Sequence, residues 1–381
     1  MMRRSVFTYM IRTAWLCSWL LVMSVLAGCK DKGGVCTECI HDVYVPLLTD
    51  LETDYPVLSR FCSSIDTVYL QNAGPDSYVK SVDDVISLGD TIIVRSSGSL
   101  YLFDRQGRFL SSFCRQGRGH GYYRVIDRFD VRRSAAEIYI LDCESSCIFV
   151  YDMSGNFKRQ IGIRDYITDF VVLPDGDLLF ANPIKYRNFR RGIWRADADG
   201  NFLRQLVEFD PEFAHVSINN PYLNHISDSV VGIMGVEDND RFYTYSADTI
   251  AVTCRMTTDI VIPDEMKKSD KVFVSPEREY TKCGYLETER FLYFVATNYG
   301  ANLVMSFVDK SNWNTYLMYV FTSEFKHNTD TVEAFPFFVS SYGGTFVGFY
   351  DAGMVLDNEV VKKRFPSMTA GSNPVLLFYN E

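Results

Sequence analysis

From about Ser64 to its end, the chain alternates short apolar runs with turn-forming residues, and no long stretch keeps a 3.6-residue period. The runs are rich in β-branched and aromatic side chains, which suit a pleated, half-buried surface. Six of them stand out: Thr91–Val94, Glu137–Leu141, Asp177–Ala181, Ser229–Ile233, Arg290–Ala296 and Thr345–Tyr350. Their centres fall near residues 93, 139, 179, 231, 293 and 347, in steps of about 40–60 residues. Only Pro263–Lys271 suggests a single helical turn.

A repeat sharpens this pattern. Leu100–Leu110, Ile148–Phe157 and Ile193–Leu203 each carry an apolar strand, then Asp-x-x-Gly-x-Phe, then another strand. The aspartates are residues 104, 152 and 197, which are 48 and 45 apart. Gly107, Gly155 and Gly200 supply the positive φ of a tight turn, and Asp suits its first position. Phe242–Val252 is a degraded fourth copy that keeps the Asp and lacks the Gly. One four-stranded sheet per period is the unit of a β-propeller. The spacing therefore predicts an all-β, six-bladed β-propeller with four-stranded antiparallel blades over residues 61–381.

Two strands lack local partners, Ser64–Leu70 before the first repeat and Asn373–Tyr379 at the C-terminal end. Placing the N- and C-terminal strands in one blade closes the ring and removes an open edge. Residues 29–60 read as a tether and lead-in, beginning with the polar, flexible Lys30–Gly34.

The start of the chain has a different texture. Arg3, Arg4 and Arg12 precede Thr13–Gly28, which holds no charged residue and is too short to span a bilayer comfortably. Leu26-Ala27-Gly28-Cys29 resembles a bacterial lipobox, which implies a signal peptide over 1–28 and a lipid-modified Cys29. The expected state is anchored by lipid, not spanning.

The stretch Leu100–Val131 resembles the repeat of NHL-type six-bladed propellers. It is more closely similar to the six-bladed β-propeller lipoproteins common in Bacteroides and relatives, in which Gly-x-Gly-Pro-Gly-Glu-Tyr follows the first repeat. Gly117, Gly119, Gly121 and Tyr123 keep that frame, while His120 replaces the Pro and Tyr122 the Glu. Asn373-Pro374 is similar to that group's ending. The resemblance covers about residues 64–381 and implies architecture; it brings no catalytic motif. It also implies the cell envelope, at the outer membrane, with the periplasmic or surface side left open.

Charge and cysteine content narrow the field. The formal net charge is −10, and removing residues 1–28 takes away three arginines and no acids, giving −13. Such a surface argues against a nucleic-acid partner. Cys36-Thr37-Glu38-Cys39-Ile40-His41 is not a haem attachment, because Ile40 separates the second Cys from the His. A local Cys36–Cys39 disulfide or free thiols is the expectation there. Cys143 and Cys147 could meet across a hairpin as a disulfide, and Cys62, Cys114 and Cys254 are expected to be buried thiols.

Candidate chemistry is sparse. Asp175-Gly176-Asp177 and Asp197-Ala198-Asp199-Gly200 look like fragments of calcium loops but lack the remaining ligands. No metal or other cofactor is expected. Gly-x-Ser-x-Gly is absent, and His120, His215, His225 and His327 are far apart in sequence. Two loops stand out as contact surfaces. One carries Arg115, Arg118, His120, Tyr122, Tyr123 and Arg124; the other carries Lys185, Tyr186, Arg187, Phe189, Arg190 and Arg191. Arg and Tyr are enriched at binding hot spots. The function expected is a binding or scaffolding module for a glycan or envelope protein; the alternative is a propeller hydrolase or lactonase working at the central channel.

Overall fold

Two strands precede the first full repeat, β1 (His41–Tyr44) and β2 (Ser64–Tyr69). They belong to a computed structural model that describes residues 41–46, 62–184, 188–209, 222–235, 240–260, 280–298, 302–321 and 338–381. Blade one is β3 (Asp84–Leu88), β4 (Thr91–Ser96), β5 (Ser99–Asp104) and β6 (Phe109–Phe113). Blade two is β7 (Arg128–Arg132), β8 (Glu137–Asp142), β9 (Cys147–Asp152) and β10 (Phe157–Gly162). Blade three follows with β11 (Asp169–Val172), β12 (Leu178–Asn182), β13 (Gly192–Ala196) and β14 (Phe202–Val207). Blade four holds β15 (Leu223–Ser227), β16 (Val230–Met234), β17 (Arg241–Ser246) and β18 (Thr249–Thr257). Blade five holds β19 (Tyr280–Glu287), β20 (Phe291–Asn298), β21 (Asn302–Asp309) and β22 (Asn314–Phe321). Blade six takes β23 (Phe338–Tyr342), β24 (Thr345–Tyr350), β25 (Val375–Asn380) and, as its outer strand, β2. The fold is a six-bladed, four-stranded antiparallel propeller.

Every apolar run singled out in the sequence is the second strand of a blade. These strands are buried on both faces, so they read as continuous apolar stretches and not as a two-residue alternation. Ile92, Ile93 and Val94 of β4 and Ile138–Leu141 of β8 lie out of water on both sides. Each such aliphatic side chain contributes about 1.5–3 kcal/mol by its burial. The cores lie between blades. One apolar cluster joins blade six to one, another one to two, another two to three, a large one spans three, four and five, and the last joins five to six. The outer strand β10 shows the alternation that its neighbours hide.

The Asp-x-x-Gly-x-Phe repeat is a local device. Asp104 Oδ1 accepts the backbone N–H groups of Gln106 and Arg108, both at 2.9 Å. Asp152 does the same for Ser154 and Asn156, and Asp197 for Asp199 and Asn201. Burial opposes the charge at all three carboxyls, but side-chain bonds from Arg108, Asn156 and Asn201 together with these backbone bonds hold them below their usual pKa. The turns therefore account for Asp197 and Asp199 as hairpin chemistry. Asp175 and Asp177 are taken by Arg195, at 2.7 Å each.

Ring closure follows the expected route. β25 lies between β24 and β2, with Ser64 opposite Asn380 and Tyr69 opposite Val375. Asn373 pins the junction: its Oδ1 accepts the Val79 N–H at 2.9 Å, and its Nδ2 donates to the Gln71 and Ser77 carbonyls. The β24–β25 connection carries two short helices, α1 (Ala352–Leu356) and α2 (Glu359–Arg364). Among the described residues no helix is long and apolar enough to cross a membrane.

Several details differ from expectation. His41–Tyr44, in the stretch read as lead-in, forms β1, a fifth strand parallel to β18 on blade four. Val43 and Val45 are buried in its core, Arg255 grips Asp42 with two bonds, and His41 stacks on Trp313 with centroids 4.1 Å apart. Cys143 and Cys147 are free thiols, not a disulfide. Cys143 donates to the Ile167 carbonyl in the core between blades two and three, while Cys147 accepts from Gln160 and packs between blades one and two. The two side chains leave the hairpin on opposite faces. Cys254 is buried as expected, Cys62 is half-buried, and Cys114 is exposed because it lies just past the end of β6. Cys29, Cys36, Cys39 and Pro263–Lys271 lie outside the described residues.

Candidate functional site

The first strands of all six blades, β3, β7, β11, β15, β19 and β23, neighbour one another in a ring around the axis. Each should be apolar where blades touch, so polar residues embedded in them are the informative ones. β3 opens with Asp84, β7 runs Arg128-Phe129-Asp130, and β11 opens with Asp169, all within apolar surroundings. Arg128 reaches two neighbouring blades, with Nε 2.9 Å from Asp169 Oδ1 and a terminal nitrogen 3.3 Å from Asp84 Oδ2. Burial opposes the guanidinium's charge, but Asp169 and Asp84 outweigh it and its pKa rises. Burial drives the Asp84 carboxyl up, and Arg128 only partly offsets this. Asp169 Oδ2 also accepts the backbone N–H groups of Tyr222 and Leu223, at 2.8 and 2.9 Å, which ties blade three to blade four.

One layer along the axis, Asp130 and His225 form a second pair. His225 Nε2 lies 2.9 Å from Asp130 Oδ2, which also accepts the Val172 N–H at 2.7 Å. Burial alone would lower the imidazole's pKa and raise the carboxyl's; their mutual attraction outweighs it, so His225 is raised and Asp130 lowered. Beside them Asn224 accepts the Glu287 N–H at 2.7 Å and the Ser341 hydroxyl at 3.0 Å, and the Gly343 N–H donates to the Ile226 carbonyl. Blades four, five and six thus meet directly on one side of the axis.

The mouth of the channel is crossed by Arg133, from the β7–β8 turn. Its guanidinium donates to the Ser87 carbonyl of blade one, lies 3.4 Å from Asp228 of blade four, and sits 3.5 Å above the Tyr342 ring of blade six. The Tyr342 hydroxyl donates to the same Asp228 carboxylate. Behind this residue lies a cavity of about 410 Å³ that continues between blades one and six, along Ile86, Thr67, Val347 and Phe378. Its volume falls within the range of small-ligand sites. Among the described residues no group of three or more His, Cys, Asp or Glu is placed to hold a metal ion. An arrangement of paired charges, hydroxyls and an aromatic ring can bind and orient a small polar molecule.

The loops singled out in the sequence lie elsewhere. Tyr123, expected as a contact residue, is fully buried; its hydroxyl donates to the Gly98 carbonyl and accepts the Arg115 N–H. Arg115 is half-buried and its side chain donates to the Gly155 carbonyl at 3.4 Å. Arg118, His120, Tyr122 and Arg124 remain exposed, with His120 edge-on to Phe157 and Arg124 near Glu144 at 3.9 Å. Arg190 is not a free cation: it lies over the Phe202 ring at 3.6 Å and beside Asp165. Arg191 donates to the Pro183 carbonyl, and Phe189 packs towards Tyr166. Lys185, Tyr186 and Arg187 lie outside the described residues, as do His215 and His327. Of the two propeller histidines among the described residues, His120 and His225, His225 is the one at the axis. Asp84, Arg128, Asp130, Arg133, Asp228 and Tyr342 escaped the sequence reading. The signal for the first three was charge set inside otherwise apolar first strands.

The ring of blades and the polar axis define a six-bladed β-propeller with a ligand-sized cavity at its channel mouth. Within that class the chain belongs to the DUF4934 family, a domain of unknown function, whose profile matches residues 47–380. A comparison with curated proteins finds no match. Among solved structures it is similar to an exported protein of Bacteroides fragilis NCTC 9343, at 15% identity and a TM-score of 0.64, over 88% of this chain and 98% of that one. A DUF4221 family member from Bacteroides vulgatus ATCC 8482 aligns at 9% identity and a TM-score of 0.52, over 84% of this chain and 96% of that one. At these identities the likeness concerns the fold.

Proposed function

We propose that the chain is a lipid-anchored protein of the bacterial cell envelope, at the outer membrane, whose propeller binds a small polar ligand at the Arg133 mouth of its channel. The observation carrying the binding reading is the cavity of about 410 Å³, lined by paired charges, hydroxyls and Tyr342. The envelope reading rests on Leu26-Ala27-Gly28-Cys29 after a charge-free apolar segment, and it is supported by the exported relative from Bacteroides fragilis. A glycan or an exposed part of an envelope protein is the partner envisaged. A hydrolase or lactonase would need carboxylates free to hold a metal or move protons. Asp84, Asp130 and Asp169 are each engaged by Arg128, His225 or backbone N–H groups, which favours binding.

Cys29→Ala tests the anchor: labelled fatty acid should no longer be incorporated and the protein should leave the membrane fraction. Unchanged incorporation would overturn that part. For the propeller, a chain beginning at Lys30 is applied to a glycan array and to purified envelope proteins. Tyr342→Ala should weaken any specific ligand by about tenfold, as loss of a binding hot spot does. A ligand indifferent to that change places the site away from the mouth.

A further inference from the structure

The charge pairing inside the cavity says what kind of molecule it suits. Each inward charge is already answered by the protein. Arg128 is held by Asp169 and Asp84, His225 by Asp130, and Arg133 by Asp228. A bound anion would have to draw Arg128 or His225 away from a buried carboxylate, leaving it without its partner in a low-dielectric site, or compete with Asp228 for Arg133. Such an exchange is costly. At the rim, Asp66 and Arg105 have opposite signs, so no net field favours an anion there.

The uncommitted polar groups are the buried Nδ1 of His225 and a set of hydroxyls. Thr67, Ser87 and Ser340 come from blades six, one and six, line the cavity, and their hydroxyls have no partner among the described residues. A hydroxyl both donates and accepts, so it can match a ligand hydroxyl in either sense. Between them stand Ile86, Val347 and Phe378, apolar surface of the sort that covers C–H bonds.

We infer that the cavity takes an uncharged, polyhydroxylated ligand, a neutral sugar, in preference to an anion. This rests on the proposed mouth site and adds the chemical class of what fills it. The full-length protein, held in a non-glycosidic detergent, is titrated with D-mannose, N-acetyl-D-glucosamine, cellobiose and myo-inositol, and in parallel with D-galacturonate and a sulfated disaccharide. Saturation-transfer NMR and calorimetry provide the readouts.

Neutral members should bind, with affinity nearly unchanged across a tenfold range of salt. Thr67→Val and Ser340→Ala should each weaken binding by about three- to tenfold, the effect of one neutral hydrogen bond. Ser340→Trp, which fills the cavity, should abolish it while thermal melting stays that of the parent. If only the acidic sugars bind, and do so less tightly as salt rises, the ligand class is wrong and the mouth site stands. If nothing binds, or if binding survives Ser340→Trp, both the class and the site are overturned.

Discussion

Gly107 gives the sharpest test of how the blades are held together. It sits in the first Asp-x-x-Gly-x-Phe turn with φ of +79°, and a Cβ placed on it would lie 2.1 Å from the Tyr69 carbonyl oxygen and 2.9 Å from its carbon. Those atoms belong to β2, the outer strand of the closing blade, and the Gln71 N–H donates back to the Gly107 carbonyl at 2.8 Å. The turn of blade one is therefore tucked onto blade six with no room for a methyl group. Gly155 and Gly200 repeat the arrangement against Phe113 and Ile161, each on the preceding blade. Gly107→Ala should cost about 1–2 kcal/mol for the left-handed backbone. Overpacking against a backbone that can move only by shifting β2 adds about 1–3 kcal/mol. Gly89 is the internal control, with φ of +55° and nothing within 4 Å of its Cβ position. Gly89→Ala should show only the backbone part. Urea unfolding gives both values from the midpoints and slopes, and limited proteolysis near Gln71 should quicken in Gly107→Ala alone. Equal losses in the two variants would refute the idea that this glycine is required for close contact between blades.

Deleting Asn373–Glu381 removes β25 from between β24 and β2 and takes the Asn373 clamp with it; the expected loss is several kcal/mol against a usual total of about 5–15 kcal/mol. An unchanged melting temperature would show that the ring does not depend on this strand. The His225–Asp130 pair predicts a pH slope. The raised histidine contributes stability fully below its ordinary 6.5 and loses it as pH climbs through its higher folded value, while the lowered Asp130 contributes above its ordinary 3.8 and fails only in stronger acid. Stability of the parent should fall as pH rises above 6.5, and His225→Asn should remove that fall; the same slope in both would reject the pair as its source. Maleimide should label Cys114 in the folded protein at once and reach Cys147 and Cys254 only on unfolding. Mass analysis without reductant should find no bridge between Cys143 and Cys147.

What the sequence alone determined is what local chemistry sets. The second strands declared themselves because both faces are buried, so Ile92–Val94 or Ile138–Leu141 could be apolar throughout. The Asp104, Asp152 and Asp197 turns were legible because their bonds close within four residues. Even ring closure could be read, since β2 and β25 each lacked a neighbour in the chain. The tertiary structure decided the rest. β1 pairs with a strand more than 200 residues away, as the Asp42–Arg255 bond across 213 positions shows, and four residues carry too little pattern to announce that. Tyr123 looked like a surface aromatic until its hydroxyl met Gly98 and Arg115. The axial residues come from separate blades, with His225 and Asp130 95 positions apart. A propeller brings its first strands together only when all the blades are stacked, so charges that look isolated along the chain find their partners at the axis and nowhere in the sequence.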